Sequence, residues 1–99
     1  MLTLGEVLAL SRRSAAAFEA VGLPPQLRAG LEAAAAAEGI EPRAWLRIAV
    51  AEFAEGAEPV EWTRLMSKLR DSADPGGDCL ALMIERRLAA SRRRQLAED

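Results

Sequence analysis

Leu23 to Ala54, LPPQLRAGLEAAAAAEGIEPRAWLRIAVAEFA, is the stretch that decides how this chain folds. Pro24 and Pro25 fix the backbone at a helix entrance, Gly39 supplies the left-handed residue that stops that helix, and Pro42 starts another. The first helix, residues 24–38, sets Leu27, Leu31, Ala34 and Ala35 on one face. A stripe of such small bulk invites close approach by a second helix. The next helix, residues 42–55, carries Trp45, Leu46, Ile48, Ala49, Val50 and Phe53, an apolar arc wider than a helix lying at the surface needs. It reads as the helix that forms the core or a dimer.

Upstream, residues 3–17 form an amphipathic segment with Leu4, Val7, Leu8, Ser11, Ala15 and Phe18 near one face. Thr3 stands as its N-cap, and Glu6 three residues later completes a capping-box pattern. FEAVGL, residues 18–23, has two readings: a short extended strand, or the last turn of the first helix with Gly22 at its end. Downstream, Trp62, Leu65, Met66 and Leu69 repeat at helical spacing, and ADPGGD at residues 73–78 reads as a loop whose Asp78 caps a last helix. That helix displays Leu80, Met83, Ile84 and Leu88 against an arginine-rich face.

Ninety-nine residues make one small domain, 1–99, mostly α. Although 51% of the residues are hydrophobic, 21 are alanine, so the bulky core formers are mainly fourteen leucines, two tryptophans and two phenylalanines. Oligomerisation is the usual remedy for such a shortage, and a homodimer is expected. The net charge of -2 offers nucleic acid or an anionic membrane no global attraction, so any basic contact must be local. Residues 1–59 hold five Lys/Arg against eight Asp/Glu, whereas residues 60–99 hold eight against seven, with Arg86, Arg87, Arg92, Arg93 and Arg94 near the end.

Cys79 is the only cysteine, which favours a reducing, cytoplasmic setting. Glu6 and the Arg12-Arg13 pair after the apolar run argue against a secretory signal, and no run reaches the roughly 18 apolar residues that a membrane span requires. The chain contains no histidine, which removes the commonest general base and the Ser/His and Cys/His nucleophile pairs. No enzyme, metal or cofactor is expected.

Leu23-Pro24-Pro25, Leu27, Leu31, Gly39-Ile40, Trp45-Leu46, Ala49-Val50 and Phe53 together resemble the ribbon-helix-helix family of small dimeric bacterial repressors and antitoxins. The resemblance covers residues 18–54. It implies that two chains pair residues 18–23 as an antiparallel ribbon over interlocked helices, with Leu27, Leu31, Trp45, Leu46, Ile48, Val50 and Phe53 forming the dimer core. It also implies that the ribbon enters the major groove of DNA. The outward set on that ribbon is Phe18, Ala20 and Gly22, none of which offers a bidentate contact to a base edge.

On this reading the domain has three parts: an N-terminal helix at 1–17, a ribbon-helix-helix-like core at 18–55, and a helical pair at 60–97. The all-α alternative is a small helical bundle without a strand. The resemblance implies a dimeric DNA-binding transcriptional regulator or antitoxin-like protein, with Arg12, Arg13 and Arg43 as the candidate DNA contacts. The alternative is a non-enzymatic, all-α protein-protein interaction adaptor without DNA binding. In either case Trp62, Leu65, Met66, Leu69, Arg86, Arg87, Arg92 and Arg93 are the residues expected to meet a protein partner.

Overall fold

A computed structural model describes residues 3–98. Its elements in chain order are α1 (Leu4–Ala16), a 3₁₀ turn (Phe18–Ala20), α2 (Pro25–Glu38), α3 (Pro42–Gly56), α4 (Pro59–Arg70) and α5 (Pro75–Glu98). No strand occurs among the described residues. The observed architecture is therefore the all-α alternative, and the ribbon expected over residues 18–23 is absent.

Local chemistry accounts for that difference. Within the segment, the N–H groups of Ala20, Val21 and Leu23 donate to the carbonyls of Ala17, Phe18 and Val21. Arg28 reaches back from α2 to donate to the Val21 carbonyl at 2.7 Å, and its guanidinium lies 4.6 Å from the centre of the Phe18 ring. Phe18 and Leu23 are both buried, so each end of the segment is anchored in its own chain. Backbone groups that a ribbon would offer to a partner strand are already used.

The helix punctuation follows the prolines and Gly39. Pro25, Pro42 and Pro59 each open a helix, where the missing N–H costs nothing. Gly39 sits at φ 72°, and Ile40 N–H returns to the Ala35 carbonyl, closing α2 in the six-to-one bond of a Schellman turn. Thr3 caps α1 by accepting from the Glu6 amide at 3.1 Å. Glu58 and Glu61 form a capping box at α4.

The ADPGGD loop is a further correction. Only its first two residues lie outside a helix, and α5 begins at Pro75. Asp74 does the capping expected of Asp78, accepting from the Gly77 amide at 3.2 Å; Asp78 instead accepts from the Ser72 hydroxyl at 2.5 Å. Gly76 is buried where α5 starts against α1, and a Cβ there would run into the Ser14 hydroxyl and touch Leu10. Of the two glycines that read as helix breakers, Gly76 thus serves close packing against α1 and Gly77 leaves room for the capping carboxylate of Asp74. Gly76→Ala is expected to destabilise the protein by about 1–3 kcal/mol despite alanine's better helix propensity, and a denaturant melt checks the sign.

The core is shared along the whole chain. α5 packs on α1, α2, α3 and α4, and α3 packs on α1, α2 and α5. Cys79, Leu80, Met83 and Ile84 of α5 are fully buried, as are Trp45 and Leu46 of α3, Leu31 of α2, Val7 of α1 and Leu65 of α4. The last helix, α5, is therefore the centre of the fold and not an extension to a residue 18–55 core. The arc of α3 expected to form a dimer is covered by its own chain at Trp45, Leu46, Val50 and Phe53. Ile48, placed in that arc from its spacing, is 38% exposed, and Leu27 is half-buried. Ile48 lies at the edge of that arc, one turn before Glu52, and keeps part of its surface in water.

Candidate functional site

Two features stand out on this scaffold: a buried arginine and a groove beside it. Arg87, on α5, retains only 6% of its exposure. It lies on the same helical stripe as Leu80, Met83 and Ile84, so its backbone position commits it to the interior. Its guanidinium grips Glu38 at the end of α2 with two bonds of 3.0 and 3.1 Å and donates through Nε to Glu52 of α3 at 3.0 Å. The same group lies 4.6 Å from the centre of the Trp45 ring, whose Nε1 donates to Glu38 at 2.8 Å.

Four side chains from three helices thus satisfy one another, as a buried cation requires. Hydrogen bonds from Arg87 hold the Glu38 carboxyl below the ordinary glutamate value of 4.5, against the opposing effect of burial. Burial by itself would favour the neutral form of Arg87, but the hydrogen bonds and charge of Glu38, joined by Glu52, outweigh it and raise its pKa.

The sign of the pH dependence follows. Because the folded value of Glu38 is depressed, its contribution to stability is complete above the unfolded value and is lost as pH falls through the folded one. Stability is expected to drop as pH falls from the ordinary glutamate value of 4.5 through the lower folded one, and Glu38→Gln to flatten that fall. Thermal melts across the interval, compared for the two proteins, measure it. Glu19, whose carboxyl is lowered by its own backbone amide and then by Arg43, leaves a residual slope in the variant.

The sequence-predicted site residues do not converge on one surface. Arg12 and Arg13 are exposed on α1, and Arg43 is paired with Glu19 at 2.6 Å. Of Arg86 and Arg87, both expected on a partner-binding face, Arg87 is interior, whereas Arg86 pairs with Glu61 at 2.9 Å, sits 5.8 Å from the centre of the Phe53 ring and lines the groove between α4 and α5. Leu65 and Leu69, also expected to meet a partner, are buried core residues, while Met66 is half-buried. Trp62 is half-buried and packs edge-on against Phe53, with ring centres 4.8 Å apart. Arg92 and Arg93 remain exposed at the far end of α5.

A groove of about 250 Å³ runs between α4 and α5. Phe53, Leu82 and Ala89 supply its apolar surface, and Arg64, Glu85 and Arg93 its charged rim. Two of the most exposed large apolar residues lie on the same two helices: Val60, 65% exposed, one turn before Arg64 on α4, and Leu96, 75% exposed, one turn past Arg93 on α5. Leu82, Ala89 and Leu96 were missed as a set, yet their seven-residue spacing was a readable signal.

Other features offer less. A shallow depression of about 520 Å³ between α1 and the start of α5 sets Glu6 and Asp74 against Arg13 and gathers no convergent donors. Cys79 is fully buried, and burial pushes its thiol up, opposed in part by the Ser11 hydroxyl. Among the described residues, no three His, Cys, Asp or Glu side chains are grouped to hold a metal, and no helix is long and apolar enough to cross a membrane.

Compared with known proteins, the chain matches no family, no curated protein and no solved structure. With no family match and no strand among the described residues, the ribbon-helix-helix assignment is overturned. What remains of the resemblance is a proline-started, glycine-stopped helical hairpin, a unit common to unrelated all-α proteins.

Proposed function

We propose that this protein is a non-enzymatic, all-helical protein-protein interaction adaptor of the cytoplasm, and that its contact surface is the α4–α5 groove with the outer end of α5. The observation that carries this reading is an apolar groove rimmed by Arg64 and Arg93, with the strongly exposed Val60 and Leu96 one helical turn from those two arginines. An apolar strip edged by charge is the form a helix-binding surface takes. Supporting it, the lone thiol is buried and the chain has no histidine, which leaves little with which to build a catalytic site.

Reading of DNA by a ribbon is not carried forward, because it lacks its strand and Arg43 is engaged by Glu19. A mobility-shift assay with the protein's own upstream DNA tests for any DNA contact. Salt-sensitive, sequence-selective binding would replace the adaptor reading with a regulatory one.

The adaptor reading itself is tested by crosslinked capture using wild type and a Val60→Glu/Leu96→Glu variant, whose exposed positions leave the fold intact. A stoichiometric partner held by wild type and lost by the variant is the expected result. Equal capture by both proteins would exclude this surface.

A further inference from the structure

The outer half of α5 projects beyond α4. Arg86 meets Glu61 in the first turn of α4, so the turns that follow Ala89 have no α4 alongside them. On the groove side of this helix, Leu82 and Leu96 lie seven residues either side of Ala89, within about 20° of its direction on a 3.6-residue helix. Glu85 and Arg93 lie four residues either side, at about 40°. The face is therefore symmetric in chemistry about Ala89: a leucine at each end, opposite charges next, and a small residue at the middle.

We infer that a second copy of this chain occupies the α4–α5 groove, its α5 running antiparallel to the first across a two-fold axis at Ala89. Antiparallel pairing about that point sets residues equidistant from Ala89 at the same level. Leu96 of each copy then covers Leu82 and the Phe53 floor of the other's groove. Glu85 of each copy comes level with the Arg92-Arg93 pair of the other.

Among the described residues, Glu85, Arg92 and Arg93 have no ion-pair partner within the chain, so all are available for this exchange. Arg86, which faces the same arginines, is already neutralised by Glu61. Ala89 at the crossing point permits the short end of the usual 8–10 Å helix separation. Every contact is made twice and the assembly closes on itself, as an isologous dimer must. This inference deepens the interaction function, on which it rests, by naming the occupant of the groove. It also moves the expected dimer contact from α3, whose arc is covered, to α5.

One helix pair is a small interface, so association is expected at roughly 10–500 µM, the range to cover by sedimentation equilibrium. Wild type should shift from monomer to dimer across it. Glu85→Arg alone, and Arg92→Glu/Arg93→Glu alone, should each weaken association at least ~10-fold by setting like charges level. Their equimolar mixture should form a heterodimer at near wild-type strength, because it restores both charge clusters.

An independent measurement uses Ala89→Cys, which should crosslink to its own symmetry mate on mild oxidation, while Arg64→Cys, away from the axis, should not. A wild-type protein that stays monomeric throughout, or a mixture no stronger than its components, would overturn the inference. If wild type is monomeric while the Val60/Leu96 variant still loses a foreign protein, self-docking fails and the adaptor reading survives. If wild type dimerises but captures nothing else, self-docking stands alone.

Discussion

Trp45→Ala is expected to cost about 3–5 kcal/mol, the range for deleting a large aromatic from a closed core. Trp45 is fully buried on α3, so alanine leaves a void lined by neighbours that α1, α2 and α5 hold in place. The substitution also removes the indole N–H from Glu38 and the ring from beneath Arg87. A domain of this size has only about 5–15 kcal/mol of total stability, so the variant should be partly unfolded at physiological temperature. Each kcal/mol corresponds to about 4–8 °C of Tm for such a domain, which makes the shift easy to read by circular dichroism. Trp45→Phe should recover most of the packing and lose the hydrogen bond. A loss below about 1.5 kcal/mol for the alanine variant would be inconsistent with a core position for this ring.

Arg87→Ala comes next, at about 2–4 kcal/mol. Removing the guanidinium breaks three charge-assisted hydrogen bonds and a cation–π contact and empties the channel of its buried stem. The side chains of Glu38 and Glu52 are 40% and 44% exposed, so they regain water, which keeps the cost below that of stranding a wholly buried charge. Arg87→Met separates the contributions by keeping the apolar stem volume while deleting the charge. It should recover about half of the loss, and urea midpoints for the three proteins measure the split. Arg87→Lys should fall well short of wild type, because an ammonium cannot engage Glu38 with two parallel bonds or stack flat on Trp45. A methionine variant as stable as wild type would assign the ion pairs no net stability. Because Trp45 and Arg87 share contacts, the double variant should lose less than the sum of the singles.

The elements that could be read in advance have local causes. Pro24-Pro25, Gly39 and Pro42 bound α2 and α3 because ring closure and a missing Cβ act on the backbone at their own positions. Thr3 marks the start of α1 for the same kind of reason, a side-chain oxygen meeting an amide three residues away. Residues 18–23 were open because the deciding contacts come from Arg28 on the next helix. Glycine at 76 reads as a breaker until Ser14 of α1 is seen to need the space, as does glycine at 77 until the capping carboxylate of Asp74 is, and Asp74 and Pro75 then start the helix through them.

Charge patterning misled most at α5. An arginine-rich face reads as solvated, yet Arg87 shares its stripe with Leu80, Met83 and Ile84. The carboxylates that make its burial tolerable lie 35 and 49 residues away in sequence. Leu65 and Leu69 form a stripe as suited to a partner's surface as to the chain's own core, and only the packing of α5 settles which one they meet.

By itself, the sequence determined the helical class, the proline and glycine boundaries of α2 and α3, the capped start of α1 and the apolar stripes of α3 and α4. Those rest on dihedral limits and periodicity, which act within a few residues. Only the tertiary structure decided that residues 18–23 turn instead of pairing, that α5 is the central helix, that Arg87 is interior, and that Phe53, Leu82 and Ala89 line a common groove. Each of these depends on groups distant in sequence meeting in space, where burial and charge pairing outweigh local preference.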